Sequence, residues 1–537
     1  MNSTNFLRVS GYELNTCHRL AVIIRSSAND DQFLLIKQTR PPKFDDREYD
    51  LYVDSDLYDL PSSSLNLSQD ESAPQITVRG SESCSDKLDL GKFDVESALN
   101  QGLYQLGLPR GIEGQWELWK FVEEAEFGPG PPIRTVFLRG RLRPGDEDPQ
   151  VFRWMSVQSC LNLILEVKPS GDRIGPLVSI GLLNDLRKSV KCSVPSTLRY
   201  QEYPLGVTLV PMRSRTIKPF HSTNLVVIAP DKITDDSGDS RFAACADALI
   251  VDPGCHSGCH SELEEVIAAL PRKLVVFVTH HHRDHVDGLA VIQKCNPEAI
   301  LIAHENTLRR IGKDDWSLGH IAVSGEEEIC IGGERLNVIF APGHTDGHMA
   351  LLHVYTHSLI LGDHCVGQGS AVLDINSGGN LKDYFQTTYK FMELAPHALI
   401  PMHGRVNLWP KHMLCGYLKN RRQREFSILK AIENGAETLF DIVAKVYSDV
   451  DPSFWIAASS NVRLHVEHLA QQDKLPKEFS VQKFETTCRL RFLSKWLGVY
   501  LKSTLLRKAQ KLSLVELLIV PVAGFAMLYA IKQLVTK

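Results

Sequence analysis

Residues 278–290, VTHHHRDHVDGLA, set four histidines and two aspartates directly behind the apolar run LVVF. A short apolar run of this kind reads as a buried strand, so the polar cluster belongs at one end of a sheet. His280 and His282 lie on the same side of an extended or turning backbone, and Asp284 and His285 reach a second point. Imidazole and carboxylate together suit zinc, iron or manganese. The layout repeats further along. His344 follows LNVIFAPG, Asp363 follows SLILG, His403 follows ALIPM, and Asp252 closes ALIV. Polar groups at strand ends are where α/β folds build sites. A surface histidine run would explain the first cluster but not the others. The residues therefore predict a cage for two metal ions within residues 198–415.

This unit resembles the metallo-beta-lactamase superfamily, whose His-x-His-x-Asp-His signature is met by His280, His282, Asp284 and His285. The resemblance implies an αββα sandwich and two divalent metal ions, with zinc expected. It assigns His280, His282 and His344 to one metal and Asp284, His285 and His403 to the other. Asp363 would bridge both, Asp252 would support the site without ligating, and His281 would point away. Two such metals sit about 3.5–4 Å apart and share a water whose pKa falls toward about 7, so a metal-bridging hydroxide is the expected nucleophile. Asp284 is the candidate catalytic residue, orienting that hydroxide. His221 and Thr345 are candidates for protonating the leaving group. The loop CHSGCH, starting at Cys255, has zinc-like spacing but reads as a loop with reduced thiols. Cys365 either lines the site or packs beside it.

The chain has 537 residues, enough for two to four domains. Residues 1–195 form a first unit with strand-like runs LAVIIRSS and QFLLIKQTR, a Ser/Asp-rich loop over 62–89 and a helical pattern DVESALNQGLYQLGL. YDLPSSSL, NQGLYQLGL and RWMSVQSCLNLI resemble the turn, signature helix and closing elements of the Nudix fold. The family's metal-binding glutamates are replaced by Gln101, Tyr104 and Gln105, and only Gly107 and Leu108 remain of the signature. Magnesium needs carboxylate oxygens, so this unit is expected to be an inactive Nudix-like domain that docks an unknown partner.

Residues 416–480 read as three helices with a wing-like end, resembling a winged helix. Lys419, Arg421, Arg422, Arg424, Arg463 and Lys474 make this unit locally basic and are the candidate nucleic-acid contacts. The net charge of −5 provides no global field for that role. Only about forty residues separate Asp363 from His403, too few for the inserted domain of the large nucleic-acid-processing members. Hydrolase core followed by winged helix resembles the beta-lactamase-like endoribonuclease family, with THHHRDHVDGLA, PGHTDGHMALL, GDHCVGQGS and HGRV as the local matches. Met402 departs from the family's usual Gly. The substrate implied is single-stranded RNA.

Residues 481–511 read as a basic linker, and 512–531 as a transmembrane tail anchor with Glu516 its one charge. The N-terminus shows no secretory signal, and twelve scattered cysteines fit a reducing compartment. The expectation is a multidomain α/β protein facing the cytosol from an intracellular membrane. Two alternatives stand beside the nuclease. One is a thioesterase or glyoxalase-II-like hydrolase of small acyl compounds. The other is a membrane-anchored binding protein that uses its Nudix-like domain to dock a partner.

Overall fold

The computed structural model describes residues 17–68, 89–107, 116–142, 152–184, 198–230 and 241–509. The expected tail anchor over 512–531, most of the Ser/Asp-rich loop and Leu108 lie outside these residues. No helix among the described residues is long and apolar enough to cross a membrane. The chain divides into two units, Met1–Ala371 with Ser377–Leu418, and Val372–Asn376 with Lys419–Lys537. The first two expected domains, 1–195 and 198–415, are therefore parts of one compact unit.

Its front part is an eight-stranded mixed sheet. Cys17–Ser26 runs parallel to Ile133–Leu142 and antiparallel to Gln32–Lys37. Alternation along the first strand sends Leu20, Val22 and Ile24 to one face, under helix Val95–Tyr104. It sends Ala21 and Ile23 to the other, under helix Val157–Leu165. Asp94 and Ser156 start these helices by accepting the N–H of Ser97 and Ser159.

The rest of this unit, from residue 198 on, stacks two sheets. A seven-stranded sheet carries the parallel run Ala248–Val251, Leu274–Phe277, Ile300–His304 and His320–Val323. A six-stranded sheet carries Glu334–Phe340, Met349–His353, Ser358–Ile360 and Ala398–Ile400. Val251, Phe277 and Ile302 from the first meet Val338, Leu351 and Ile360 from the second in a fully buried layer. The outer face of the first sheet is covered by helices His260–Ala269 and Leu289–Cys295. Helix Leu381–Leu394 lies beside the end of Glu334–Phe340, where Thr387 bonds the Pro342 carbonyl. Five strands thus end near one rim, and the chain just beyond them supplies Asp252, residues 280–285, His344, Asp363 and His403.

The second unit is helical. Its elements are the later part of Pro410–Glu433, then Leu439–Val446, Trp455–Gln471, Val481–Glu485 and Leu490–Ala509. A capping box between Thr438 and Asp441 opens the second helix. Its described residues contain no strand. The basic linker expected over 481–511 is also corrected. It is largely helical as far as Ala509, and Phe484 and Phe492 are buried in one cluster with Ile442, Trp455 and Val466. Burying those rings favours a packed helix over a solvated tether.

Candidate metal centre

Asp252 follows strand Ala248–Val251 with φ 49, a left-handed conformation that is uncommon for a residue with a Cβ. The turn aims its fully buried carboxylate inward. One oxygen accepts the Thr279 N–H at 2.7 Å; the other accepts the Thr279 hydroxyl at 2.6 Å and His285 Nδ1–H at 2.8 Å. Asp252, His280 and His285 lie close enough to form a ligand group of their own. Both Asp252 oxygens are already committed, however, so its role is to orient.

That commitment propagates. The Thr279 hydroxyl donates to Asp252, so its oxygen accepts His280 Nδ1–H at 3.0 Å. His280 Nε2 is then a bare lone pair. His285 Nδ1–H is used by Asp252, and His403 Nδ1–H by the Ser222 carbonyl at 2.9 Å. Their Nε2 atoms are the ones left to face the site. Carboxylate or carbonyl partners on the remote nitrogen are the usual way a protein prepares an imidazole to ligate.

Two sets of ligand atoms converge. His280 Nε2, His282 Nδ1 and His344 Nε2 form a triangle with sides of 2.9, 3.1 and 3.1 Å. Nitrogens each about 2.0–2.1 Å from a tetrahedral zinc lie roughly 3.3 Å apart, so the triangle is nearly of ligand size. In the second set, His403 Nε2 lies 3.4 Å from both Asp284 Oδ2 and Asp363 Oδ1. His285 Nε2 lies 3.8 Å from Asp284 Oδ1 and 3.6 Å from Asp363 Oδ1. His285 Nε2 and Asp363 Oδ1 are buried without a hydrogen-bond partner. Once His285 gives up its proton, both are buried electron-pair donors facing one point, which suits a cation that accepts both. The donor set fits two metal ions, one in each group.

The electrostatics reflect this crowding. Burial, reinforced by His285, His282 and His344, pushes His280 well below the ordinary histidine value. His285 moves the other way: burial opposes its charge, but Asp363, Asp252 and Asp284 outweigh burial and raise it well above that value. His403 is likewise raised to about 9, by Asp363 and Asp284 against burial. Asp284 is lowered to about 2, because His285 and His403 overcome its desolvation. Asp363 falls well below its usual range for the same reason.

A pH prediction follows for metal uptake. Below about 9 the metal-free His403 holds a proton that a metal must displace. Affinity at the second set should therefore rise about tenfold per pH unit between about pH 6 and 8 for each proton displaced, flattening above about 9. Calorimetry in buffers of different ionisation enthalpy counts the protons released; none at pH 7 would contradict the geometry.

His281 turns aside to Ser377, with Nε2 3.0 Å from its hydroxyl oxygen, and joins neither set described above. His221 is exposed, whereas Thr345 is fully buried. Cys365 is fully buried. In CHSGCH, burial raises the Cys255 thiol to about 12 and His256 Nδ1 accepts the Gly258 N–H. Among the described residues this loop forms no metal-sized group.

His348 was not singled out from the sequence. It is fully buried, donates Nδ1–H to the Ala341 carbonyl and accepts the Asp363 N–H at 3.1 Å. It thereby sets the backbone that carries Asp363. Burial, then neighbouring His344, lowers it to about 3, so it stays neutral. Its recurrence four positions after His344 was the available signal.

The basic surface also needs correction. Arg421 is 4 % exposed, and its guanidinium lies within electrostatic reach of buried His465. Arg424 is half-buried, donating to the Val446 carbonyl with its guanidinium 4.2 Å from the Tyr447 ring centroid. Both face the helical core because Glu425, on the same helix, is tied to His465 and His468 of helix Trp455–Gln471. Arg422, Arg463 and Lys474 are exposed, and Lys419 is half-buried.

Parts of the chain are similar to known proteins. The family described as beta-lactamase associated winged helix domain matches residues 438–480. A beta-lactamase-like protein 2 homolog of Drosophila melanogaster is 27 % identical over 212 residues, covering 37 % of this chain and 69 % of that protein. A hydroxyacylglutathione hydrolase of Gloeobacter violaceus is 30 % identical over 173 residues, covering 32 % and 60 %. A beta-lactamase domain protein of Burkholderia ambifaria superposes with a TM-score of 0.45 at 19 % identity, covering 54 % and 93 %. The chain is thus a multidomain α/β protein that is similar to beta-lactamase-like proteins over part of its length and to the beta-lactamase associated winged helix family over residues 438–480.

Proposed function

We propose that this chain is a two-metal hydrolase that cleaves the phosphodiester backbone of single-stranded RNA. The observation that carries the hydrolase reading is the convergence of two ligand sets, with His285 Nε2 and Asp363 Oδ1 left without a hydrogen-bond partner at the second. His280, His282 and His344 would hold one ion; Asp284, His285 and His403 the other, with Asp363 the expected bridge. Two divalent ions there supply a Lewis acid for the scissile group and lower the pKa of the attacking water toward about 7. The chain's own contribution is orientation. Asp252 and the Ser222 carbonyl fix the imidazole tautomers, and the Asp284 carboxylate, ionised down to about pH 2, can accept a hydrogen bond from the attacking water and orient it.

RNA is favoured by the order of hydrolase core then winged helix, and by exposed Arg422, Arg463 and Lys474 on the second unit. In this reading the front part is a Nudix-like fold without its chemistry. Gln101 and Tyr104 stand exposed on helix Val95–Tyr104, and no metal-sized group lies among the described residues there. The apolar run 512–531 would anchor the enzyme with its body in the cytosol. Zinc is the metal we expect. A second reading, hydrolysis of a small thioester, is favoured by the likeness to the Gloeobacter hydroxyacylglutathione hydrolase.

The deciding assay offers purified protein single-stranded RNA and a thioester in parallel, with chelator as control. Arg422→Ala combined with Arg463→Ala should weaken RNA binding, flatten its salt dependence by about two counterions and leave stability unchanged. Arg421→Ala should instead destabilise the second unit by about 1–3 kcal/mol, because its guanidinium is packed inside. Thioester turnover without RNA cleavage would sink the nuclease reading while sparing the hydrolase.

A further inference from the structure

We infer that the front part of the first unit is a clamp that positions His403 for the second metal. This rests on the two-metal reading above. Residues 397–412 contain strand Ala398–Ile400, His403 and the start of helix Pro410–Glu433. The front part grips this stretch at three places. Arg173, 3 % exposed, donates to the carbonyls of His397 and Leu408, one on either side of His403, and to its own neighbour Ser55. Its guanidinium lies 5.1 Å from the Trp409 ring centroid. Asp54 accepts the N–H of Lys411 at 2.9 Å and of His412 at 3.0 Å, closing the helix start.

The third grip is nearest the chemistry. Arg405 Nε meets both oxygens of Glu124, at 2.9 and 3.0 Å, and its Nη2 donates to the Pro131 carbonyl. Glu124 is itself fixed, because it also accepts the Ile133 N–H. Just after it, Ala125 and Phe127 are buried in the layer between the hydrolase sheets, in one cluster with Ile400 and Met402. On the other side of the turn, Asn224 donates to the Pro401 and Gly404 carbonyls at 2.8 Å each, and Gly367 N–H to the His403 carbonyl. The turn is therefore held from both flanks, and one flank belongs entirely to the front part.

Glu124 and Arg405 are partly exposed, so the pair contributes little to folding stability. Its place two residues after a ligand gives it leverage over the imidazole instead. Glu124 and Arg405 are positioning residues that act through His403.

The test uses the full-length chain with Glu124→Gln and, separately, Arg405→Lys. Each is dialysed against buffered free zinc, its metal counted, and the cobalt(II)-substituted form examined by absorption and by the exchangeable His403 Nδ1–H resonance. The parent should hold two metals. Each variant should keep the first and bind the second about 10- to 100-fold more weakly. The His403 resonance should shift while the thermal midpoint stays close to the parent's. The double variant should lose no more than either single one, as for one shared interaction. Unchanged affinity and spectrum would overturn the clamp, as would loss of both metals together. A parent that holds fewer than two metals would overturn the two-metal reading first.

Discussion

Asp363→Asn and His282→Ala should each lower hydrolysis by about 10³-fold or more while leaving the chain folded. The two changes act on different sets. His282 Nδ1 is one corner of the 2.9–3.1 Å triangle, and two corners alone do not hold an ion against water. Asp363 Oδ1 is the negative atom facing His285 Nε2 and His403 Nε2. Asparagine keeps its shape and its backbone bond to His348 but removes the charge. Metal content separates the two variants: His282→Ala should lose the first ion, and Asp363→Asn should weaken the second set most. Turnover within tenfold of the parent in either variant would show that the chemistry lies elsewhere. Thermal unfolding of the metal-free proteins supplies the control, because neither side chain belongs to the apolar layer between the sheets.

The candidate metal ligands were legible because their signals are local. His280, His282, Asp284 and His285 sit in six consecutive residues, and His344, Asp363 and His403 each follow an apolar run that the structure builds as a strand. The supports were not legible. Glu124 and Arg405 are 281 positions apart, and Arg173 bonds carbonyls more than 220 positions away. No periodicity carries such a pairing; only the packed fold brings the groups together.

In the second unit the winged helix was legible, as the family match over 438–480 bears out, but the direction of its cations was not. Counting cations marked Arg421 and Arg424 as a binding face, but a cation's sign does not say which way its helix turns. Glu425, on the same helix and bonded to two histidines of helix Trp455–Gln471, was the available clue to an inward face. The stretch after 480 was read from its charge alone. Phe492, Trp496 and Val499 recur there at helical spacing, and the structure packs that side against the core.

Gly254→Ala should cost about 3–5 kcal/mol of stability and weaken the second metal at the same time. The effect comes from close approach, not from backbone freedom. A Cβ at Gly254 would lie 1.6 Å from the Asp284 carbonyl oxygen and 2.6 Å from the His285 nitrogen. Those backbone atoms cannot retreat freely. The Asp284 carbonyl is held at 2.7 Å by the Thr223 hydroxyl, and the His285 N–H by the His282 carbonyl. Across the same contact, Gly288 N–H donates to the Pro253 carbonyl at 2.7 Å, where a Cβ would stand only 2.2 Å from the oxygen. The turn carrying Asp252 is thus pressed against the short helix Arg283–Val286 that carries Asp284 and His285. One methyl group must push these two apart, which lengthens the bond from His285 to Asp252 and swings Asp284. Chemical denaturation and metal counting on the same sample check the coupling. A variant that loses stability yet keeps both metals at parental affinity would show that the turn serves the fold alone.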